Sequence, residues 1–168
     1  MSYIDKSLGD GETIIARAHF HVLYSATAWL LLIIPLLLLV MAFGQAQEQP
    51  DPYTVAAALL FVLGLVAFLK MMIHKWSTEI GITSHRFVEK YGLLSMRTNE
   101  IALPNIEGVK VNQSILGRIF NYGTVKIEGT GVDSVSTPNI ADPVGFVRAI
   151  QTAKEHIAGL TATPRTQA

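Results

Sequence analysis

Two long apolar runs, set almost back to back, constrain this chain more than any other feature. From Val22 to Gln47 there is no Asp, Glu, Lys or Arg, and the centre reads Trp29-Leu-Leu-Leu-Ile-Ile-Pro-Leu-Leu-Leu-Leu-Val-Met-Ala-Phe43. A second run, Tyr53 to Leu69, is also uncharged and continues through Lys70 to Ile73. A helix that crosses the hydrocarbon core needs about 20 apolar residues, within a range of roughly 17–25. The first run meets this length. The second meets it because Lys70 can lay its stem in lipid and raise its ammonium to the headgroups. Tyr24, Trp29, Tyr53 and Trp76 stand towards the ends of the runs, where amphipathic rings favour the interface. A helical hairpin buried in a soluble bundle would keep a polar stripe, and neither run has one. A cleaved signal peptide ending near Ala46 fits poorly. Its core would be about 7–15 residues long after a short basic leader, whereas residues 1–21 carry Asp5, Asp10 and Glu12. The expectation is two transmembrane helices, 22–43 and 53–73, joined by an external loop, 44–52.

Pro35 falls mid-span, where it removes one backbone hydrogen bond and favours a kink. Ala57, Leu60, Gly64 and Ala67 fall on one face of the second helix, where small residues let a neighbouring helix approach. The connector carries Glu48 and Asp51 but no Lys or Arg. The outer flanks carry Lys6 and Arg17 on one side and Lys70, Lys75, Arg86 and Lys90 on the other. Cytoplasmic flanks are enriched in Lys and Arg, so both termini are expected in the cytoplasm of a bacterial cell, with the chain in the inner membrane.

After Trp76 the pattern changes to period two. Ile80 and Ile82, Val109 and Val111, and Val125 and Ile127 alternate with polar residues or glycine, as in half-buried strands. Turn signals recur about every 8–12 residues, as in antiparallel sandwiches and barrels. Asp142-Pro143 then reads as a helix cap plus first-turn proline. Phe146, Val147, Ile150, Ala153 and Ile157 follow at helical spacing, and Gly159 is the expected stop. This predicts six or seven short strands closed by one amphipathic helix, with a disordered tail over 159–168. Residues 1–21 form a cytoplasmic segment, read as a short extended stretch. Whether Ile14 joins the sheet or the stretch lies along the membrane surface is open.

Charge and composition then exclude several functions. The chain is 50% hydrophobic and 15% charged, with 13 basic and 13 acidic residues and no cysteine. Zero net charge argues against nucleic acid as a partner. The lack of cysteine removes disulfides, iron–sulfur clusters and thiol nucleophiles. No nucleotide loop, nucleophile elbow or zinc-protease motif occurs, so no enzymatic activity and no cofactor are expected. His19, His21 and His74 lack further ligands near them in sequence, so interfacial histidines are expected rather than a metal site. Ser84-His85 are chain neighbours, which is no sign of a catalytic pair.

The segments Ile82-Thr-Ser-His-Arg86, Tyr91-Gly-Leu-Leu-Ser-Met-Arg97, Glu100-Ile-Ala-Leu-Pro-Asn-Ile106, Val109-Lys-Val-Asn-Gln-Ser114 and Gly117-Arg-Ile-Phe-Asn-Tyr-Gly-Thr-Val125 occur in this order. Together they resemble the bacterial PH-like domain of the membrane-anchored type, over about residues 74–158. The stretch from Gln113-Ser114 to Val125 is the most specific part. The resemblance implies two antiparallel sheets in a split barrel, capped by a C-terminal helix and preceded by a transmembrane hairpin. It implies no mechanism.

Two surfaces are candidates for function. Arg86, Lys90 and Arg97 are the basic residues that would face lipid phosphates, as a headgroup site needs converging cations. Between Trp76 and Ala158, however, eight basic residues face eight acidic ones, which favours solvated strand faces. The second candidate is an exposed sheet edge around Met96–Ala102, with Met96, Thr98 and Glu100 available to a partner's strand. Arg118, flanked by apolar residues, is expected to bond backbone carbonyls or a carboxylate. The reading that follows is a membrane-anchored, non-enzymatic interaction or scaffold module. Its partners are the bilayer and a membrane or cytoplasmic protein, a second copy of the chain included. The alternatives are an anionic-lipid sensor and an accessory subunit of a transport or export assembly.

Overall fold

A computed structural model describes residues 2–45, 51–93 and 95–162. In chain order it has a short helix α1 (Tyr3–Ser7), strand β1 (Ile14–Ala18), the long helices α2 (Val22–Gln45) and α3 (Pro52–Ser77), and strands β2 (Glu79–Thr83), β3 (Arg86–Tyr91) and β4 (Arg97–Ala102). A 3-10 turn at Leu103–Asn105 leads to β5 (Ile106–Asn112), the short helix α4 (Ile115–Ile119), β6 (Tyr122–Gly129), β7 (Val132–Ser136), β8 (Ile140–Ala141) and the helix α5 (Pro143–Ala162). The chain divides into two compact units, Val22–Trp76 and the residues on either side of it.

The first unit is a pair of helices, both long and apolar enough to cross a membrane. Most of their large apolar side chains are exposed, as they would be on helices solvated by lipid. The two helices meet through small residues. Ala28, Thr54 and Ala57 are buried, and a Cβ on Gly64 would lie 2.3 Å from the Leu31 carbonyl oxygen and 3.1 Å from Pro35 Cγ. Leu60 points away and is exposed, so the contact face follows Thr54, Ala57 and Gly64 rather than the expected set with Leu60. Helix α2 continues through Pro35. The Trp29 and Phe68 rings pack 4.9 Å apart, and Lys75 Nζ donates to Ser25 Oγ at 2.6 Å. Of the expected connector, residues 46–50 lie outside the described residues.

The second unit holds two antiparallel sheets. One has the order β1-β2-β3-β4, and the other runs β5-β6-β7 with β8 also paired to β6. Residues after the hairpin supply β2–β8, and the N-terminal segment adds β1. Alternation places Ile80, Ile82, Phe87 and Ile101 of the first sheet in one core with Val125, Ile127 and Val135 of the second. Helix α5 closes this core with Phe146, Ile150 and Ala153, spaced to share one helical face. Asp142 caps α5: its Oδ1 accepts from the Gly145 N–H at 3.1 Å, and Pro143 opens the helix. The helix continues to Ala162, past the expected stop at Gly159. A Cβ at Gly159 would meet nothing within 4 Å, so the glycine sits in helical backbone and ends nothing. The expected tail beyond Ala162 lies outside the described residues.

The alternation in β2 led to the expectation of a half-buried strand, but β2 and its neighbour β3 are buried on both faces around Gly81 and Val88. The cause is the N-terminal segment, which is expected as a short extended stretch and instead forms a short helix followed by a strand that joins the sheet, with Ile14 paired to Thr83. Helix α1 lays Ile4 against Gly81: Ile4 is 1% exposed, and a Cβ on Gly81 would lie 3.0 Å from Ile4 Cδ1. Strand β1 then pairs with β2 through Ala16↔Ile82, Arg17↔Gly81 and Ala18↔Ile80. Beyond it, Phe20 bridges to Ile140 and His21 N–H donates to the Asn139 carbonyl.

Candidate functional site

The face of the first sheet that looks away from the core carries most of the charged side chains singled out from the sequence. The antiparallel register puts Gly81 opposite Val88 and Val88 opposite Glu100, so Arg86, Lys90, Thr98 and Glu100 share that face. Arg97 pairs with Tyr91 and belongs to the other face. The three basic residues therefore do not converge.

Arg86 is also fully engaged. Its Nε and Nη2 donate to the two Glu12 carboxylate oxygens at 3.1 and 3.0 Å, Nη1 donates to Glu100 Oε2 at 2.8 Å, and Nη2 donates to the Ser7 carbonyl at 2.6 Å. Burial opposes the charge of Glu12, but the Gly9 N–H, the Thr83 hydroxyl and the Arg86 guanidinium outweigh it and hold its carboxyl below the ordinary range. Glu79 does the same work one strand away. Its carboxylate accepts from the Ser2 hydroxyl and the Ile4 N–H. Burial pushes its pKa up, and these donors together with the Lys90 charge bring it down further, to below normal. Arg17 pairs with Asp5. These ionic groups are the fastening of the N-terminal arm, so Arg86 is not a free phosphate ligand. Sequence reasoning missed this because Glu12 and Arg86 are 74 residues apart. The available signal was the acidic Asp5-to-Glu12 stretch, whose charges need partners.

The Ser84 hydroxyl lies 2.9 Å from His85 Nδ1 on an exposed turn. It also accepts from the Thr13 N–H, which ties the same arm. The His21 ring packs on Tyr122 at 5.1 Å, and the His74 ring lies 6.5 Å from that of Tyr24. Among the described residues no group of three His, Asp or Glu side chains is placed to hold a metal.

Strand β4 is terminal in its sheet. Met96 precedes it and is exposed, Thr98 is half-buried, and Glu100 is committed to Arg86. Asn99 and Glu89 face the core side together, with the Asn99 amide donating to Glu89 at 3.0 Å. Burial drives the Glu89 carboxyl above its ordinary pKa, and the Asn99 bond only partly offsets this.

The Gln113-to-Val125 segment makes a closely fitted turn. Gln113 Nε2 donates to the carbonyls of Gly117 and Tyr122 at 3.3 and 3.2 Å, and Ser114 Oγ caps α4 by accepting from Gly117 N–H at 3.0 Å. A Cβ on Gly117 would lie 2.6 Å from the Tyr122 carbonyl oxygen, and one on Gly123 would lie 2.6 Å from that of Asn112. The motif is therefore a folding device in which two glycines allow backbones to meet and Gln113 holds them. Arg118 is exposed, and among the described residues its side chain makes none of the bonds expected of it. A shallow polar hollow of about 430 Å³ lies beside this turn, lined by Asn112, Gln113, Tyr122, Thr124 and Asn139.

A family model described as a bacterial PH domain matches residues 18–154. The match begins before the helical pair and extends well into α5, further towards the N-terminus than the 74–158 expected from the motifs. No curated protein and no solved structure matches the chain.

Proposed function

Because this chain belongs to the bacterial PH domain family, we propose that it is a membrane-anchored, non-enzymatic docking module of the bacterial inner membrane. PH domains are lipid- or protein-interaction modules and are generally non-catalytic. The helical pair is the anchor in this reading. Its support is the exposure of apolar side chains along both helices and the absence of Lys and Arg from the connector. Both termini, and with them the sheets, then lie on the cytoplasmic side.

The observation that favours a protein partner over a headgroup site is the fate of Arg86. A phosphate would have to displace two carboxylates from its guanidinium. Lys90 shares its face but interacts with Glu79, and Arg97 lies on the other face. Strand β4, terminal in its sheet, can accept a partner's strand through main-chain bonds. Anchoring confines that edge near the bilayer and raises its effective concentration towards membrane partners.

The test is photo-crosslinking in native membranes. A photoreactive amino acid replaces Met96 or Thr98 in the full chain, with Lys126 on the second sheet as the comparison. Protein adducts from Met96 and Thr98 but not from Lys126 are expected. Adducts to lipid alone would replace this reading with lipid sensing. Adducts that vanish when the helical pair is exchanged for an unrelated anchor would favour an accessory subunit whose helices make the contacts.

A further inference from the structure

We propose that α4 is a second membrane contact, in which the side chains of Ile115, Leu116, Ile119 and Phe120 enter the interfacial layer of the same bilayer that holds the anchor. This inference rests on the anchored reading above.

Three observations carry it. First, these four residues are 81, 58, 69 and 51% exposed. Four large apolar side chains in water on one short turn form the kind of patch that soluble surfaces avoid. They cannot fold back into the core, because the Ser114 cap, the Gln113 clamp and the close approach at Gly117 fix the turn that carries them.

Second, the turn sits at the end of the domain where the chain departs for its apolar helices. Tyr122 follows α4 by three residues and packs on His21, and α2 begins at the next residue, Val22. His21 is itself sewn to Asn139, and Phe20 to Ile140. The covalent path into the anchor thus starts beside α4.

Third, the turn carries a cation and no acid of its own. From Gly108 to Ile127 there is no Asp or Glu. Nearby, Lys110 is paired with Glu128 and Asp142 is bonded to Asn121, which leaves Arg118 as the charge on the turn itself. Arg118 is exposed, and an exposed guanidinium among apolar side chains suits an anionic headgroup surface, with the apolar groups below the phosphates. A protein partner would need an acidic and apolar groove. The bilayer already supplies both chemistries at this end of the chain.

The chain has no cysteine, so single cysteines can be placed freely. Full-length Ile115→Cys, Ile119→Cys, Leu37→Cys and Thr130→Cys are each labelled with a small fluorophore and placed in nanodiscs of phosphatidylethanolamine and phosphatidylglycerol. Each is compared in discs with and without brominated acyl chains, since bromine quenches only dye that reaches the chains. Leu37 reports the anchor. Thr130 reports the far end of β6, roughly 25 Å from Tyr122 at about 3.3 Å per residue. Quenching at Leu37, Ile115 and Ile119 with none at Thr130 is the expected result. Quenching at Leu37 but at neither isoleucine overturns the proposal and leaves the anchor standing, whether those dyes report water or a protein contact. Quenching at Thr130 as well overturns the orientation. No quenching at Leu37 removes the anchored reading, and the proposal with it.

Discussion

Replacing Arg86 with methionine is expected to loosen the N-terminal arm without unfolding the sheets. The guanidinium makes four bonds of 2.6–3.1 Å, to Glu12, Glu100 and the Ser7 carbonyl. A hydrogen bond to a charged group contributes about 1.5–3 kcal/mol when the site is dry. This site is only partly dry, because the Arg86 side chain is 29% exposed and that of Glu100 34%. Water therefore recovers part of what is lost. The Glu12 side chain is 6% exposed and would remain, charged, on its Thr83 and Gly9 donors. These considerations give a loss of roughly 2 kcal/mol in closing the arm. At about 1.4 kcal/mol per factor of ten, that is an increase of about 30-fold in local opening. Hydrogen exchange on the full chain in lipid nanodiscs reads it directly. Peptides covering Tyr3–Ala18 should lose protection, and peptides from the core of β6 should not. Glu12→Gln combined with Arg86→Met should cost less than the two single changes together, since both remove the same bond. Unchanged protection of the arm, with binding to anionic vesicles reduced instead, would refute the structural role of Arg86.

Other predictions follow from the same contacts. Glu12 and Glu79 have folded pKa values below the ordinary 4.5, so their contribution is complete above that pH and is lost as pH falls through the folded values. Arm protection should therefore drop in acid below about pH 4.5, and Glu12→Gln should flatten that part of the profile. Glu89 has the opposite sign. Its pKa is raised by burial, so the neutral form is favoured and stability declines as pH rises through the folded value. Glu89→Gln, which can still bond Asn99, should raise the thermal midpoint at neutral pH by an amount worth roughly 1 kcal/mol. Gly123→Ala should destabilise the domain by about 2–3 kcal/mol, since its Cβ would meet the Asn112 carbonyl at 2.6 Å. Gly159→Ala, in helical backbone with open space around it, should stabilise by about 0.5–1 kcal/mol, and thermal unfolding of the two variants checks both signs.

The elements that were legible in the sequence are those set by local pattern. The apolar runs, the period-two strands and the capped helix after Asp142 each carry their signal within a dozen or so neighbouring residues. What was not legible depends on contacts between distant parts of the chain. Nothing near Ile4 says that it will cover Gly81, and the alternation of β2 predicts a solvated outer face because the covering helix lies 75 residues earlier. The basic trio was chosen by sequence proximity, but strand register places Arg97 on the other face and the arm takes up Arg86. The motif from Gln113 to Val125 identified the family. Its residues hold a turn together, and the side chains that this turn exposes carry no recognisable motif of their own.

The central claim is that the helical pair anchors this PH domain with the sheets on the cytoplasmic side. It is tested most directly by cysteine accessibility. Gln47→Cys in the connector and Thr130→Cys in the β6–β7 turn are expressed separately in the full chain. Cells with a permeabilised outer membrane are treated with a membrane-impermeant maleimide, before and after lysis of the inner membrane. The account predicts that Gln47→Cys is labelled in intact cells and Thr130→Cys only after lysis. Labelling of Thr130→Cys in intact cells, or recovery of the protein in the soluble fraction, would contradict it.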